Sequence, residues 1–218
     1  MRISELSERS GVSPASIKYY AREGLLPAGE RTGYNQTDYT DAHLERLRLI
    51  RSLIDVGGLS VAATAAVLTA VDAPDLPLNE VLGTAQQALP QPVAPPSRAS
   101  VERITALAAD HGWHVHPGNP GVRTAAAVLD GWAAVGRGDL ESVLPAYARA
   151  ADLVADADLD AVSDAVEAAR AGRDRASAAQ TVVVGTVLGD QLLAGLRRIA
   201  QQNAAGRRYG PPPEGNSS

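Results

Sequence analysis

Lys18 is the only lysine in a chain of 218 residues that carries 20 lysines and arginines. It stands four positions before Arg22 and next to Tyr19 and Tyr20. On a helical wheel, Ile17, Tyr20 and Ala21 fall in one sector, and Ala15, Lys18, Tyr19 and Arg22 fall in the opposite one. The first sector packs and the second is free. Two cations and a phenol on one exposed helix face suit a DNA major groove, where the cations meet phosphates or guanine edges and the phenol donates to phosphate oxygen. A Lys/Arg pair at this spacing is also an ordinary solvated face. The elements around it must decide between the two.

Other residues suggest other chemistry. His111, His114 and His116 lie within a Gly/Pro-bounded loop, and imidazole is a common ligand for zinc, copper and nickel. Three such residues are equally an exposed polar loop, and with no cysteine in the chain the expectation is no metal and no other cofactor. Trp113, Trp132 and Tyr147 are large aromatics that can line an apolar ligand pocket or fill a core. Asp156, Asp158, Asp160 and Asp164 form the densest acidic cluster, without the spacing of a calcium loop, and read as caps and solvated helix face. No phosphate-cradling glycine loop, nucleophile elbow or paired-carboxylate constellation stands out. The chain does not read as an enzyme.

The candidate contact residues sit within short, sharply punctuated elements. Residues 3–10 form a helix closed by Gly11, and Ser13 and Pro14 cap and start a second over 14–23, closed by Gly24. Two helices joined by about three residues containing glycine make a helix-turn-helix. Residues 25–39, rich in Gly, Pro, Asn and Thr, read as a small β-wing carrying Arg31, Tyr34 and Tyr39. A helix over 41–56 follows, with Leu44, Leu47, Ile50 and Ile54 on one side, then another from Ser60 to about Val71. Six prolines between residues 72 and 97 mark a boundary with one short helix over 78–89. Beyond it, helices are expected over 98–110, 120–135, 140–154, 159–171 and 174–203, with Pro145 kinking or delaying the third of these. The organisation is thus a DNA-binding unit over 1–73, a Pro-rich linker over 74–97, an all-helical unit over 98–205 and a disordered tail over 206–218.

Charge refines this picture. Taken alone, the net charge of −5 argues against nucleic acid, but residues 1–56 hold eight cations and eight carboxylates, so the acidic excess lies downstream. The longest uninterrupted apolar run, near 182–184, is far shorter than the roughly 20 residues that cross a bilayer, and no signal-like segment opens the chain. A cytoplasmic protein with no membrane partner is expected.

Three blocks, ISELSERSGVS (3–13), SIKYYAREGLLP (16–27) and YTDAHLERLRLI (39–50), resemble the MerR transcriptional regulators in order and spacing. The resemblance covers roughly the first third of the chain. It implies a winged helix-turn-helix bound as a homodimer to double-stranded, pseudo-palindromic promoter DNA. It also implies RNA polymerase as a partner, through bending and untwisting of an over-long promoter spacer. On this reading the DNA contacts come from Ser13, Ser16, Lys18, Tyr19, Tyr20 and Arg22 of the helix-turn-helix and from Arg31, Tyr34, Asn35 and Gln36 of the wing. Lys18 stands where relatives usually have Arg, and the wing lacks the usual Gly-Tyr-Arg, reading Gly33-Tyr34-Asn35.

The long dimer helix usual in such regulators is missing after the DNA-binding unit, since 78–89 is short and ends at Pro90. The best replacement is 174–203, where Val183, Val187, Leu188, Leu192, Leu196 and Ile199 give an apolar face, and Gly185 and Gly189 let another helix approach closely. The same helix is equally the centre of a C-terminal core. The downstream helices suit a small-molecule effector site. An architectural DNA-binding protein of the recombination-directionality type, working without a signal, is the alternative. About 120 further residues speak against it.

Overall fold

The computed structural model describes residues 1–33, 36–170 and 175–209. It is helical throughout apart from one two-stranded ribbon. Helix α1 (Ile3–Ser10) ends at Gly11, whose φ of 67° lets its N–H turn back to Ser7 O. Helix α2 (Pro14–Arg22) starts where Ser13 Oγ accepts from the Ser16 N–H, with Pro14 in the first turn. Strands β1 (Glu30–Gly33) and β2 (Gln36–Asp38) pair antiparallel, Glu30 opposite Asp38 and Arg31 opposite Thr37. This is the expected wing. Gly29 is required at its base, because a Cβ there would stand 2.5 Å from Thr37 Cγ2 and 2.7 Å from Asp38 O.

Helix α3 (Asp41–Arg51) does not run on to Val56 as an α-helix. Its last turn, Ser52–Val56, is a π-turn. Helix α4 (Val61–Asp72), capped by Ser60 Oγ on the Ala63 N–H, and helix α5 (Leu78–Ala88) follow. Leu6, Ile17, Leu25, Leu47, Ile50, Leu53 and Val67 are buried together as the N-terminal core. Val81 and Ala85 of α5 enter the same core, so the segment read as a linker supplies part of it.

Helices α6 (Arg98–Asp110) and α7 (Pro120–Ala134) pack around a smaller cluster of Ile104, Ala126, Leu129 and Leu144. Asp130 of α7 pins the start of α6, accepting from Ser97 N (2.6 Å), Ser97 Oγ (2.6 Å) and Ser100 Oγ (2.7 Å). Those bonds, Ser100 first, hold its carboxyl below the usual carboxylate range.

The two helices expected over 140–154 and 159–171 are a single helix, α8 (Leu144–Arg170), preceded by a 3-10 turn, Gly138–Val143. Pro145 falls in its first turn, where its missing N–H costs nothing, and so it delays the helix without breaking it. Asp158, read as a cap, lies in mid-helix. This stretch of α8 faces Gly185 and Gly189 of the last helix with room for a side chain, since a Cβ on Gly185 would stand 3.6 Å from Val162 Cγ1 and one on Gly189 3.9 Å from Asp158 Oδ2.

That last helix, α9 (Arg175–Tyr209), continues past Gly206. Ala179, Val183 and Val187 are buried in the N-terminal core. Leu192 (64% exposed), Leu196 (55%) and Ile199 (66%) are not. At 3.6 residues per turn these two sets lie about half a turn apart, so the single apolar face expected from the sequence is two opposed faces used at different heights. By length and composition α9 would also pass for a membrane span, as core helices of soluble proteins do. Here its first half is part of the protein core.

Candidate nucleic-acid interface

Helix α2 is held from beneath. Ile17 is fully buried, and Tyr20 and Ala21 pack partly against the N-terminal core. The Tyr20 carbonyl accepts from the N–H groups of Leu25 (2.9 Å) and Leu26 (3.3 Å), fixing the exit of the helix. Arg46 on α3 donates Nε to Leu25 O (2.9 Å) and grips Asp72 with both terminal nitrogens (2.9 and 2.5 Å), tying this exit to α3 and α4. Arg51 donates to Ser10 O (3.1 Å), locking the end of α1.

The opposite face of α2 is open, with Ala15, Lys18, Tyr19 and Arg22 all exposed. Arg22 lies over the Tyr19 ring, 5.3 Å from its centroid, and 3.5 Å from Glu23 Oε1. Lys18 and Arg31 make no ion pair among the described residues. Ser13 and Ser16 share a hydroxyl–hydroxyl hydrogen bond of 2.8 Å at the head of the helix. Tyr20 faces inward more than outward. Burial first, then Asp55, raise its phenol above the ordinary value. Tyr34 and Asn35 lie outside the described residues, and Gln36 is described only as a ladder position opposite Gly33.

One neighbour of the wing escapes sequence reasoning. The Met1 ammonium donates to Tyr39 O (2.6 Å) and the Tyr39 N–H returns a bond to Met1 O (2.8 Å). The chain start is thereby laid along β2, and Arg2 reaches Asp38 at 3.3 Å. A bond across 38 residues leaves no periodic trace in the sequence.

Trp113, Trp132 and Tyr147, proposed for a ligand pocket, are not among the described lining of the large pocket. Trp132 packs on the small C-terminal cluster. Trp113 donates Nε1 to Asp152 Oδ1 (2.6 Å). The Tyr147 hydroxyl accepts from Arg197 Nη2 (2.8 Å). Each joins two elements instead. His111 is drawn to the same Asp152, its Nδ1 3.3 Å from Oδ2, and no three histidines or carboxylates come together as a metal site among the described residues. The large cavity lies elsewhere. A half-open pocket of about 1010 Å³ lies between α5, the start of α7, the middle of α8 and α9, with Leu82, Leu159, Val162 and Val182 in its walls and Asp158 and Asp190 as the carboxylates among its described lining.

The MerR HTH family regulatory protein model matches residues 1–71. The mercuric resistance operon regulatory protein of Bacillus cereus is 38% identical over 56 residues, covering 26% of this chain and 42% of that protein. The HTH-type transcriptional regulator HmrR of Sinorhizobium medicae is 40% identical over 57 residues, covering 26% and 39%. These matches span only about two fifths of each curated relative. SCO5550 of Streptomyces coelicolor A3(2), a crystallised chain assigned as a transcriptional regulator, is 34% identical with a TM-score of 0.65, covering 97% of this chain and 99% of that one.

Proposed function

The chain belongs to the MerR family of helix-turn-helix transcriptional regulators, and from that membership we propose that it binds a pseudo-palindromic promoter as a homodimer in the cytoplasm. On this reading α2 of each copy enters the major groove through Lys18, Tyr19 and Arg22, with Ser13, Ser16 and the Tyr20 hydroxyl at flanking phosphates. The wing, through Arg31, Tyr34, Asn35 and Gln36, lies along the neighbouring backbone. The observation that carries the reading is the two-sidedness of α2, buried at Ile17 and open at Lys18, Tyr19 and Arg22, beside a β-ribbon.

The acidic surplus downstream of residue 56 leaves little bulk attraction for DNA. Affinity then depends on two copies engaging two half-sites at once. The exposed Leu192, Leu196 and Ile199 of α9 offer the surface for that pairing. RNA polymerase is the further partner, reached through distortion of the promoter spacer. A small molecule in the α5–α9 cavity adjusts that distortion. Catalysis has no place in this scheme, and the named relatives are regulators.

The test is selection of duplexes from a random pool by the full chain, followed by footprinting. Recovery of an inverted repeat with protection on both half-sites supports the reading. Recovery of no preferred sequence, or of a single unrepeated site, rejects it. A protein that bends the selected duplex identically with every compound tested would instead be the signal-independent architectural factor.

A further inference from the structure

The end of α9 is exposed on all sides. Residues 196–203 and 205–209 are exposed at every position, so the last turns of the helix stand clear of the described body. A helix this short is marginal in water without a partner. Leu192, Leu196, Ile199, Asn203 and Gly206 follow one another at intervals of four and three in alternation, the spacing of a coiled-coil seam. Charge is segregated along the same two helices. From residue 191 to residue 213 the chain has no carboxylate but carries Arg197, Arg198, Arg207 and Arg208. Between Arg149 and Arg170 it has no cation, and Asp156, Asp158 and Asp160 of that stretch are exposed on α8. The acidic stretch lies beside the start of the seam, since Asp158 stands next to Gly189 and Val162 next to Gly185.

A two-fold axis can pair two such seams in either direction. With the helices parallel, each residue meets its own copy, so Arg207 and Arg208 gather with their counterparts in a stretch that offers no carboxylate on either helix. Asn203 is the one residue this direction suits, because it would meet itself. With the helices antiparallel, the register that sets Leu196 against Ile199 also sets Leu192 against Asn203 and Gly189 against Gly206. Arg207 and Arg208 then come level with residues 187–188 of the other copy, beside the α8 stretch that carries the three aspartates. Opposite charges meet at both ends of the seam. The register also spaces the DNA-binding units. Val187, buried in the N-terminal core, lies 21 residues along the seam from the point facing its counterpart, or about 32 Å at 1.5 Å per residue. Half-sites one turn of DNA apart are separated by roughly 34–36 Å.

We propose that the α9 seam is covered by the seam of a second copy running in the opposite direction, with Leu196 against Ile199, so that Arg207 and Arg208 of each copy dock on the carboxylates of Asp156, Asp158 and Asp160 of the other. This rests on the homodimer reading and supplies its direction, its register and its electrostatic contacts.

Sedimentation of the full chain, together with mild oxidation of single-cysteine variants, tests it, since the chain has no cysteine of its own. A mixture of L192C and N203C should form a disulfide between 192 and 203, while neither variant alone should link to itself. R207E/R208E should weaken the dimer by roughly tenfold, D156K/D160K should weaken it comparably, and the four changes combined should restore it. A dimer that links 192 to 192 and 203 to 203 overturns the direction. A dimer indifferent to R207E/R208E, or not restored by the combination, overturns the docking of the arginines. Both results leave the homodimer reading standing, whereas a parent chain that is monomeric at every concentration overturns that reading and the proposal together.

Discussion

Arg22 is the most contested cation of the proposed DNA face. Its guanidinium is stacked on Tyr19 and within 3.5 Å of the Glu23 carboxylate, so a phosphate must compete for it. Lys18 meets no such rival among the described residues. Lys18→Ala should weaken binding to the selected duplex by about 1–3 kcal/mol if the ammonium reads a base, or flatten the salt slope by about one if it meets phosphate. Glu23→Gln should strengthen binding a few-fold at most, because exposed pairs of this kind are worth about 0–1 kcal/mol. Fluorescence anisotropy across a salt series measures both. An unchanged salt slope and affinity for Lys18→Ala would remove α2 from the groove. The layout of this face was legible in the sequence because everything that creates it is local, from the Ser13 cap to the 3.6-residue period that separates Ile17 from Lys18. The place of Arg2 beside β2 was not, since it depends on the Met1–Tyr39 backbone bonds.

Elements were readable where a cap or a glycine punctuates the chain, and misread where packing overrides propensity. The aspartates of 156–160 read as a break, yet α8 runs through them, packed along its length against α9. The π-turn Ser52–Val56 was likewise invisible. Its consequence is a contact. A Cβ on Gly57 would stand 2.3 Å from Val187 Cγ1 and 2.7 Å from Leu53 O, so the end of this turn is where α9 meets the DNA-binding unit. Gly57→Ala should lower stability by about 1–3 kcal/mol, as crowding in a packed core does, read as a loss in thermal unfolding midpoint. An unchanged midpoint would mean the two parts are not joined there. The helices carry opposite pH signatures as well. Asp190 has a raised folded pKa, so its proton is held more tightly in the folded chain and stability falls as pH rises from the unfolded value of 3.8 through the folded one. Asp190→Asn should raise the unfolding midpoint at neutral pH and have no such effect below about pH 4. Asp130 runs the other way. Its depressed pKa contributes stability above the unfolded value that is lost as pH falls through the folded one, so Asp130→Asn should blunt the acid-side decline.

At the scale of the whole molecule, the division of α9 links DNA binding to assembly. Its first half is committed within the chain, because Val183 and Val187 are fully buried in the N-terminal core, where α9 packs on α4, α5 and the π-turn Ser52–Val56. Its second half carries Leu192, Leu196 and Ile199 in one narrow stripe, largely exposed. Apolar surface gathered in this way on a chain with an ordinary net charge is the mark of an interface. A two-fold partner would bury the stripe against its own counterpart, since a two-fold axis brings like surfaces together. Helical spacing alone already sets these residues half a turn from Val183 and Val187, but only the tertiary fold says which of the two faces is covered within the chain. L192E/L196E tests the division. Neither residue belongs to a core, so the thermal midpoint of the variant should stay within a few degrees of the parent, while sedimentation should change from dimer to monomer. Binding to a duplex with two half-sites should then fall to the level of one half-site, with loss of the simultaneous engagement that makes two weak contacts strong. A variant that remains a dimer would move the interface off α9, and a monomeric variant with full affinity would show that the two half-sites are not bound together.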